Sequence, residues 1–394
     1  MSRLGKVRNG LALRGNLPVL TTSEMISNTG WNMQMVVWQP YLLSLGASIP
    51  DLGALQSGST LLRGGLLLTT GRIADSSGRK RLMILASLLT IAGMVFAVIA
   101  NHWLLVVPTM ILWTIGGSFW EPAFRAMVAE SVDPKSRATA FGLLGLTWFL
   151  PGLYAPGIAG YVGEILSPRA VIMFMIVTEC TALAVITLGA RETLKEKPGS
   201  AARASASIKD IFKEARSASE FYVGAVIQRF HGAMGEGIFL GMLVTTFGFD
   251  LLQLGLLANI YSAITSLLQI PMGKLSDRYG RKKFLVLSGI VKITAFAGYF
   301  LSHSYPMILF FHAINASSDA MYAPAFNAYL TEVAPTSGMA TKFGNLQGIM
   351  ALLTFPAPLL GSQLFRLYGF QAPIVTTALL AVATTMAFTR LRKE

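Results

Sequence analysis

Apolar and polar positions alternate along this chain on the scale of whole segments. Stretches of about 20 or more largely apolar residues recur, and each is long enough to cross a bilayer as an α-helix. Polar or Gly/Pro-containing breaks separate these stretches. The pattern predicts an all-α membrane protein with twelve spans, at about 19–45, 51–73, 82–100, 103–130, 136–165, 168–190, 221–248, 250–275, 284–302, 305–333, 338–367 and 370–389.

The longest polar stretch in the chain, "RETLKEKPGSAARASASIKDIFKEARSASE", separates six predicted spans from the other six. It divides the chain into an N-terminal bundle at 1–190, a cytoplasmic linker at 191–220 and a C-terminal bundle at 221–394. Ile208, Ile211, Phe212 and Ala215 lie at helical spacing in the linker, which is typical of a helix in the membrane interface. A flexible charged connector fits the same residues.

Composition supports the membrane class. Charged residues make up 13% of the 394 residues, against roughly one quarter in soluble domains. The net charge of +13 does not indicate a nucleic-acid partner, because basic residues gather in the cytoplasmic loops of membrane proteins. Their distribution predicts that both termini are cytoplasmic. The N-terminus has no apolar stretch followed by a small-residue cleavage site, so we expect no cleaved signal peptide. We expect a monomer in the plasma membrane, with lipid as its surroundings.

Enzyme chemistry finds no support in the sequence. The chain has a single cysteine, Cys180, so an internal disulfide is excluded. No paired Cys/His metal spacing, phosphate-binding glycine loop or GxSxG motif occurs. We therefore expect no enzyme activity, no metal site and no cofactor.

An internal repeat relates the two bundles at a constant offset of 202 positions. The offset carries Asp75 to Asp277, and it extends over nearly a hundred residues without a gap. It also relates Gly53 to Gly255, Pro156 to Pro358, and "PAF" at 122–124 to "PAF" at 324–326. An even number of spans in each copy places both copies in the membrane in the same direction, which is the parallel repeat of one class of transporters.

Two related decapeptides, "GRIADSSGRK" at 71–80 and "GKLSDRYGRK" at 273–282, are part of this repeat. They resemble the signature loop of the major facilitator superfamily, Gly-x-x-x-Asp-x-x-Gly-Arg-Lys/Arg, which follows the second helix of each half. The first copy departs from the signature at Ser76, where the family often has Arg. The matching residues are Gly71, Asp75, Gly78, Arg79 and Lys80 in the first copy and Gly273, Asp277, Gly280, Arg281 and Lys282 in the second.

The resemblance implies a cytoplasmic gate between two bundles that rock around a central cavity. In the family, the aspartate meets the N-terminal end of a helix in the opposite half, where free N–H groups and the helix dipole favour an anion. Asp75 would face the helix that starts near 337–340, and Asp277 the helix that starts near 136–139. Glu130 and Glu332 would pair with Arg79 and Arg281. A loop that only fixes topology is the alternative.

Ionisable residues inside the predicted spans are the candidate transport residues, since each costs several kcal/mol unless it faces a wet cavity or a partner. Four of the spans, the first, fourth, seventh and tenth, are those that the resemblance places around the cavity. Each has a set of residues on one face that includes polar side chains. The sets are Glu24, Asn28, Trp31, Met35 and Trp38; Glu121 and Arg125; Arg229 and Glu236; and His312, Asn315, Asp319 and Tyr322.

Glu236 and Asp319 are the predicted proton carriers, because a carboxylate at mid-membrane can take up a proton in one state and release it in the other. Glu121 is the next candidate, although a structural ion pair with Arg125 fits it equally well. Trp31 and Trp38 could stack on a flat or cationic substrate or pack in the core.

Three further ionisable residues, Arg63, Glu179 and Lys292, are central in their spans. Arg63 in the second span is a candidate site residue. Glu179 and Lys292 lie on the sixth and ninth spans, which the resemblance places outside the cavity. For these two we expect packing or snorkelling.

Together these patterns predict a secondary active transporter that works by alternating access and exports a small organic or amphipathic compound in exchange for protons. "APGIAG" at 155–160 resembles the family's antiporter signature at two of its four places, Pro156 and Gly160. One alternative is proton-coupled uptake of a polar or anionic metabolite bound by Arg125 and Arg229. Another is a membrane receptor on the same scaffold that transports nothing.

Overall fold

The computed structural model describes residues 15–133, 136–194, 219–333 and 339–391. Within these ranges the chain forms a short 3-10 helix at Trp103–Val106 and fifteen α-helices. The α-helices are α1 Leu17–Ser44, α2 Ile49–Ser77, α3 Arg79–Ile99, α4 Val107–Ser131, α5 Arg137–Gly152, α6 Ala155–Ile165, α7 Pro168–Gly189, α8 Ser219–Gly235, α9 Phe239–Phe247, α10 Leu251–Tyr279, α11 Arg281–Leu301, α12 Tyr305–Val333, α13 Met339–Thr354, α14 Pro356–Tyr368 and α15 Gln371–Thr389.

These helices make the twelve predicted spans, and they confirm the fold class. Three spans are each built from two helices, namely α5 with α6, α8 with α9, and α13 with α14. Among the described residues, eight spans are long and apolar enough by composition to cross a membrane. The remaining four are the first, second, seventh and tenth, which carry most of the candidate site residues. We call residues 15–194 the N half and residues 219–391 the C half.

Helix breaks distinguish the fifth, seventh and eleventh spans from the continuous helices that the sequence predicts there. The fifth breaks at 153–154, before Pro156, and the eleventh at Phe355, before Pro356. Proline has no N–H for the helix ladder and its ring clashes with the preceding turn. The two breaks lie one repeat apart. The seventh span breaks at 236–238 between glycine-rich turns, whereas the equivalent part of α1 is continuous.

The two decapeptides are not loops, which corrects the sequence prediction. Gly71 lies within α2 and Gly273 within α10. Gly78 and Gly280 alone make the turns, with φ of +89° and +102°, in the left-handed region that glycine tolerates without steric cost. Each decapeptide is therefore the end of one helix, a single glycine and the start of the next helix.

The two halves meet through repeat-related contacts. A side chain on Gly53 would come within 2.6 Å of the Pro358 carbonyl oxygen, and one on Gly255 within 2.6 Å of the Pro156 carbonyl oxygen. The offset of 202 carries Gly53 to Gly255 and Pro156 to Pro358, so each partner in one contact has its equivalent in the other. This exchange is what a two-fold axis between the bundles produces.

Hydrogen bonds connect the two halves at one end of the molecule. This end is the one farther from the first and last residues of the described chain. Gln39 donates to the Gly237 carbonyl at 2.9 Å and accepts from the Gly241 N–H at 2.6 Å. Asn259 accepts from the Gly157 N–H at 3.1 Å. The Leu359 N–H donates to Ser57 at 3.0 Å. The halves are thus closed against each other at that end.

Candidate functional site

A cavity of about 850 Å³ opens within the N half. Helices α1, α2, α3, α4, α5 and α7 supply its described wall. The wall has an aromatic part, with Trp31, Trp113, Trp120 and Trp148, and an ionisable part, with Glu24, Arg63, Glu121, Arg125 and Glu179. We call it the N-half cavity. Its volume is in the range of sites for small organic molecules.

Glu24 lies on α1 and is held by uncharged donors. Its Oε1 accepts from the indole N–H of Trp120 at 3.1 Å, and its Oε2 accepts from Asn28 at 3.3 Å. Asn28 in turn donates to Thr147 at 3.2 Å. The sequence analysis placed Glu24 on one face of the first span and gave it no role of its own. Helical spacing alone does not show which residue of such a face lines a cavity.

Glu179 points into the protein, which corrects the expectation of a peripheral packing residue. It is 5% exposed, and its carboxylate accepts from Ser27 at 2.6 Å and from Ser87 at 3.1 Å. Helices α1, α3 and α7 therefore meet at this carboxylate. Among the described residues, no basic side chain forms a salt bridge with Glu24 or Glu179.

Glu121 is shared by two arginines at the cavity wall. Its carboxylate lies 2.9 Å from Arg63 and 3.1 Å from Arg125. The arginine side chains are about half exposed, at 47% and 55%. The predicted pairing of Glu121 with Arg125 occurs, and Arg63 joins it from α2.

The tryptophans predicted to contact substrate have different positions. Trp31 lines the N-half cavity and packs edge-on to Trp113, with ring centroids 5.2 Å apart. Trp38 is 7% exposed and belongs to the apolar core, where it packs on Trp113 at 4.5 Å. Trp38 therefore supports the cavity wall from behind. All six tryptophans of the chain lie in the N half.

A second cluster of charged residues lies inside the C half, where its side chains bind one another. Lys292 on α11 is 2% exposed, and its ammonium group lies 2.7 Å from Glu236 and 2.8 Å from Asp319. Tyr261 donates to Asp319 at 2.7 Å, and Asn315 donates to Glu236 at 3.2 Å. We call these five residues the C-half charge cluster.

Of the two alternatives expected for Lys292, packing and snorkelling, the structure shows packing, since Lys292 is 2% exposed. Its long side chain reaches from the ninth span into the bundle interior, where two carboxylates compensate for its burial. The break between α8 and α9 helps, because it places Glu236 at the end of a helix.

The other predicted site residues of the C half surround the charge cluster. Tyr322 stacks on Phe326 with centroids 5.2 Å apart. His312 is hydrogen-bonded to Tyr299 at 2.7 Å. Arg229 donates a hydrogen bond to Gln347, and it lies within electrostatic reach of Arg63 and Glu121 of the N half.

The gate residues are described in part. Arg79 is buried and lies 3.2 Å from Glu130, which is the predicted pair. Asp277 is 65% exposed and pairs at 3.5 Å with Arg281 of the following helix. Lys282 donates to the Leu391 carbonyl at 2.5 Å. The side chains of Asp75 and Glu332, the helix start at 337–338 and the predicted interfacial helix of the linker lie outside the described residues.

Glu192, which the sequence did not single out, caps the N-terminus of α3. Its carboxylate accepts from the backbone N–H groups of Arg79 at 3.0 Å and Lys80 at 3.1 Å. Partial burial would raise the pKa of this carboxyl, but hydrogen bonds from Leu194, Arg79, Thr193 and Lys80 outweigh it and lower the pKa below its ordinary value. The segment after the sixth span is thereby attached to the signature turn.

The 202-residue offset relates positions in the C-half charge cluster to positions in the N-half cavity. It relates Lys292, Asp319, Tyr261 and Asn315 of the C-half charge cluster to Thr90, Gly117, Ser59 and Trp113, and it relates Tyr322 to Trp120. All five N-half equivalents line the N-half cavity, and a side chain added at Gly117 would meet nothing within 4 Å. The space that a lysine–aspartate pair fills in one half is a cavity in the other.

Comparisons with known proteins agree with this architecture. The chain is 24% identical over 326 residues to the multi-drug resistance efflux pump PmrA of Streptococcus pneumoniae serotype 4, with 78% of each chain covered. It is 26% identical over 313 residues to multidrug resistance protein 2 of Bacillus subtilis, with 75% of each covered.

A solved structure shows the same fold. The bacterial homologue of the human lysosomal transporter Spinster, in an inward-facing and unoccupied conformation, matches with a TM-score of 0.77 at 17% identity, over 94% of this chain and 95% of that one. The family model described as Major Facilitator Superfamily matches residues 20–245 and 226–394. With two six-span halves and a match to this model in each, the chain belongs to the major facilitator superfamily.

Proposed function

We propose that the protein is a secondary active transporter of the plasma membrane that exports a small organic or amphipathic compound in exchange for protons. The observation that carries the proposal is the N-half cavity, a ligand-sized space with ionisable walls in a protein whose halves contact each other at the end opposite the chain termini. The relatives named as multidrug efflux pumps support the direction of transport.

The proposed orientation places both termini in the cytoplasm. The closed end, with Gln39 against Gly237 and Gly241, is then extracellular, and the proposed state is inward-facing. Alternating access requires this contact to open and a cytoplasmic contact to form. The proposed cytoplasmic gate is the signature turn of each half, in which Asp75 and Asp277 meet helix N-termini of the opposite half.

Proton coupling is proposed for Glu236 and Asp319. Both carboxylates bind Lys292, and protonation of one would weaken its ion pair with the ammonium group. Glu236 also marks the break between α8 and α9, so a change at its carboxylate acts directly on a discontinuity of the seventh span. Discontinuous helices at mid-membrane are typical positions for coupling sites.

Transport in proteoliposomes tests this function. Purified protein is reconstituted with an imposed pH gradient, and a panel of cationic, neutral and anionic amphipathic dyes is screened for gradient-driven movement and for dye-dependent proton flux. Glu236→Gln and Asp319→Asn should abolish driven transport and leave dye exchange without a gradient. Driven transport at the normal rate in both variants would contradict the carrier assignment.

Spectroscopic distances test the gate. Spin labels on the cytoplasmic ends of α2 and α13 should report a shift toward separated ends in Asp75→Asn, because the variant loses an anion at a helix N-terminus. Unchanged distance distributions would leave the turn as a topology signal.

Uptake of an anionic metabolite is the second candidate, favoured by Arg63 and Arg125 in the N-half cavity and by Arg229 of the C half, which lies within electrostatic reach of Arg63. In the same proteoliposomes, anionic dyes would then be the transported class, moving with the proton gradient. Binding without any transport of the panel would favour a receptor.

A further inference from the structure

The N-half cavity and the C-half charge cluster occupy equivalent places in the two repeats, but only the C half has a cation at the repeat position of Lys292. Lys292 neutralises Glu236 and Asp319 from the ninth span. The residue one repeat earlier is Thr90, an uncharged residue in the wall of the cavity. The N half nevertheless has two carboxylates of its own, Glu24 and Glu179.

These two carboxylates lack a basic partner among the described residues. The two guanidinium groups of the cavity wall, those of Arg63 and Arg125, both bind Glu121. Glu179 is 5% exposed, and its donors are two serine hydroxyl groups. Removing a carboxylate from water is costly unless a positive charge or a proton compensates for it.

The rest of the wall is suited to an aromatic ligand. Trp31, Trp113, Trp120 and Trp148 line the cavity, and indole faces attract cations as well as flat apolar groups. The Trp120 indole N–H is already bound to Glu24, so its ring is held next to the carboxylate. The open space at Gly117 leaves room where Asp319 lies in the other half.

We infer that the N-half cavity binds an aromatic organic cation, with the positive charge held by Glu24 and Glu179 and the rings held by the tryptophans. The ligand cation takes the place that Lys292 takes in the C half. This inference rests on the proposed function, in that the cavity is the substrate site, and it names the substrate class. It makes Glu179, on a span outside the family's cavity helices, a specificity-determining residue.

Two probes of equal shape and opposite charge test the inference. Tetraphenylphosphonium and tetraphenylborate are titrated calorimetrically into the protein in lipid nanodiscs, with empty nanodiscs subtracted. The phosphonium should bind one to one, and the borate at least about tenfold more weakly. Borate binding as tight as phosphonium binding would overturn the inference.

Variants locate the charge. Glu24→Gln and Glu179→Gln should each weaken phosphonium binding about 30-fold, because each leaves the ligand charge with one carboxylate fewer in a desolvated site. Glu24→Asp and Glu179→Asp keep the charge and should bind within a few-fold of the parent protein, which separates a charge effect from misfolding. Glu220→Gln, an exposed carboxylate at the start of α8, is the matched control and should bind normally. Parent-like binding in both glutamine variants would overturn the inference.

Failure of this inference and failure of the proposed function give different results. Dye transport in proteoliposomes without preference for the phosphonium would keep the transporter and overturn the cation site. Tight, carboxylate-dependent phosphonium binding by a protein that transports nothing would keep the cation site and overturn the transporter.

Discussion

The two halves of this protein share a backbone plan and differ in how their buried carboxylates are compensated. In the C half, Lys292 supplies a positive charge from within the chain and lies between Glu236 and Asp319. In the N half, Thr90 stands at the equivalent position and the space is an 850 Å³ cavity. A duplicated scaffold can thus have an internal ion cluster in one half and a cavity at the equivalent place in the other, through a handful of side-chain differences at fixed positions.

The largest expected effect follows from removing the internal cation. Lys292→Met keeps most of the length of the side chain but leaves Glu236 and Asp319 without their ammonium partner. Breaking a buried ion pair in this way costs about 3–5 kcal/mol, and it should lower the thermal unfolding midpoint measured by circular dichroism at 222 nm.

A triple variant separates lost charge from lost packing. Lys292→Met with Glu236→Gln and Asp319→Asn removes all three charges and should recover most of the lost stability, because no uncompensated carboxylate remains. Equal instability of the single and triple variants would mean that the ion cluster does not account for the effect.

The second effect comes from making the N half resemble the C half. Thr90→Lys introduces an ammonium group at the position of Lys292, near Glu24 and Glu179. We expect about a 30-fold loss of tetraphenylphosphonium affinity, because the internal cation replaces the ligand. Thr90→Met has similar bulk without the charge, and it should retain at least part of the binding. Normal phosphonium affinity in the lysine variant would contradict the equivalence of the two sites.

The third effect concerns the repeat-related contacts between the halves, at which the two halves are alike. Gly53→Ala and Gly255→Ala each place a methyl group about 2.6 Å from a proline carbonyl oxygen of the opposite half, and the methyl group at Gly53 also comes still closer to the Ser362 hydroxyl oxygen. Both should destabilise the closed end by about 1–3 kcal/mol, the range for overpacking, with the larger loss in Gly53→Ala.

Distances between spin labels on the loops at the closed end measure this opening. Gly58→Ala on α2, the helix of Gly53, is the control. An added side chain there meets nothing within 4 Å, so this variant should leave the distances unchanged. Opening in only one of the two interface variants would show that the two contacts have equivalent positions but contribute unequally to the stability of the closed end.

The smallest effect concerns the cap of α3. Glu192→Gln removes an anion from a helix N-terminus, and it should cost about 1 kcal/mol at neutral pH. The folded-state pKa of Glu192 lies below its ordinary value, so the folded protein binds fewer protons there than the unfolded chain does. Its contribution is therefore present at pH above the ordinary value and is lost as the pH falls through the lowered folded-state pKa.

Parallel measurements on the parent and Glu192→Gln follow this cap. The difference between their unfolding midpoints should be constant near neutral pH and shrink toward zero in acid. A difference that stays the same across that range would exclude the carboxylate charge as its source.

The sequence predicted the fold well because the spans and the repeat can both be found in the order of residue types along the chain. Apolar length located all twelve spans, and one constant offset predicted an equivalence that appears physically in the crossed contacts of Gly53 and Gly255. The helix breaks could have been expected at Pro156 and Pro356, where the ladder loses an N–H, but mean hydropathy averages over such positions.

The site was less predictable, because rotation of a helix about its axis is not a property of its own sequence. Glu179 and Lys292 were assigned to the periphery from the numbers of their spans, whereas packing of neighbouring helices turns both inward. The offset could have corrected this, since it aligns Lys292 with Thr90 and Asp319 with Gly117. Glu192 had no signal at all, being one of several acids in a polar stretch.

The location of the tryptophans has a consequence for optical experiments. All six lie between positions 31 and 148, so the intrinsic indole emission of the protein originates in the N half alone, while circular dichroism at 222 nm reports on both halves. A melting curve followed by emission and by ellipticity on one sample therefore shows, without any label, whether the two bundles unfold together or one after the other.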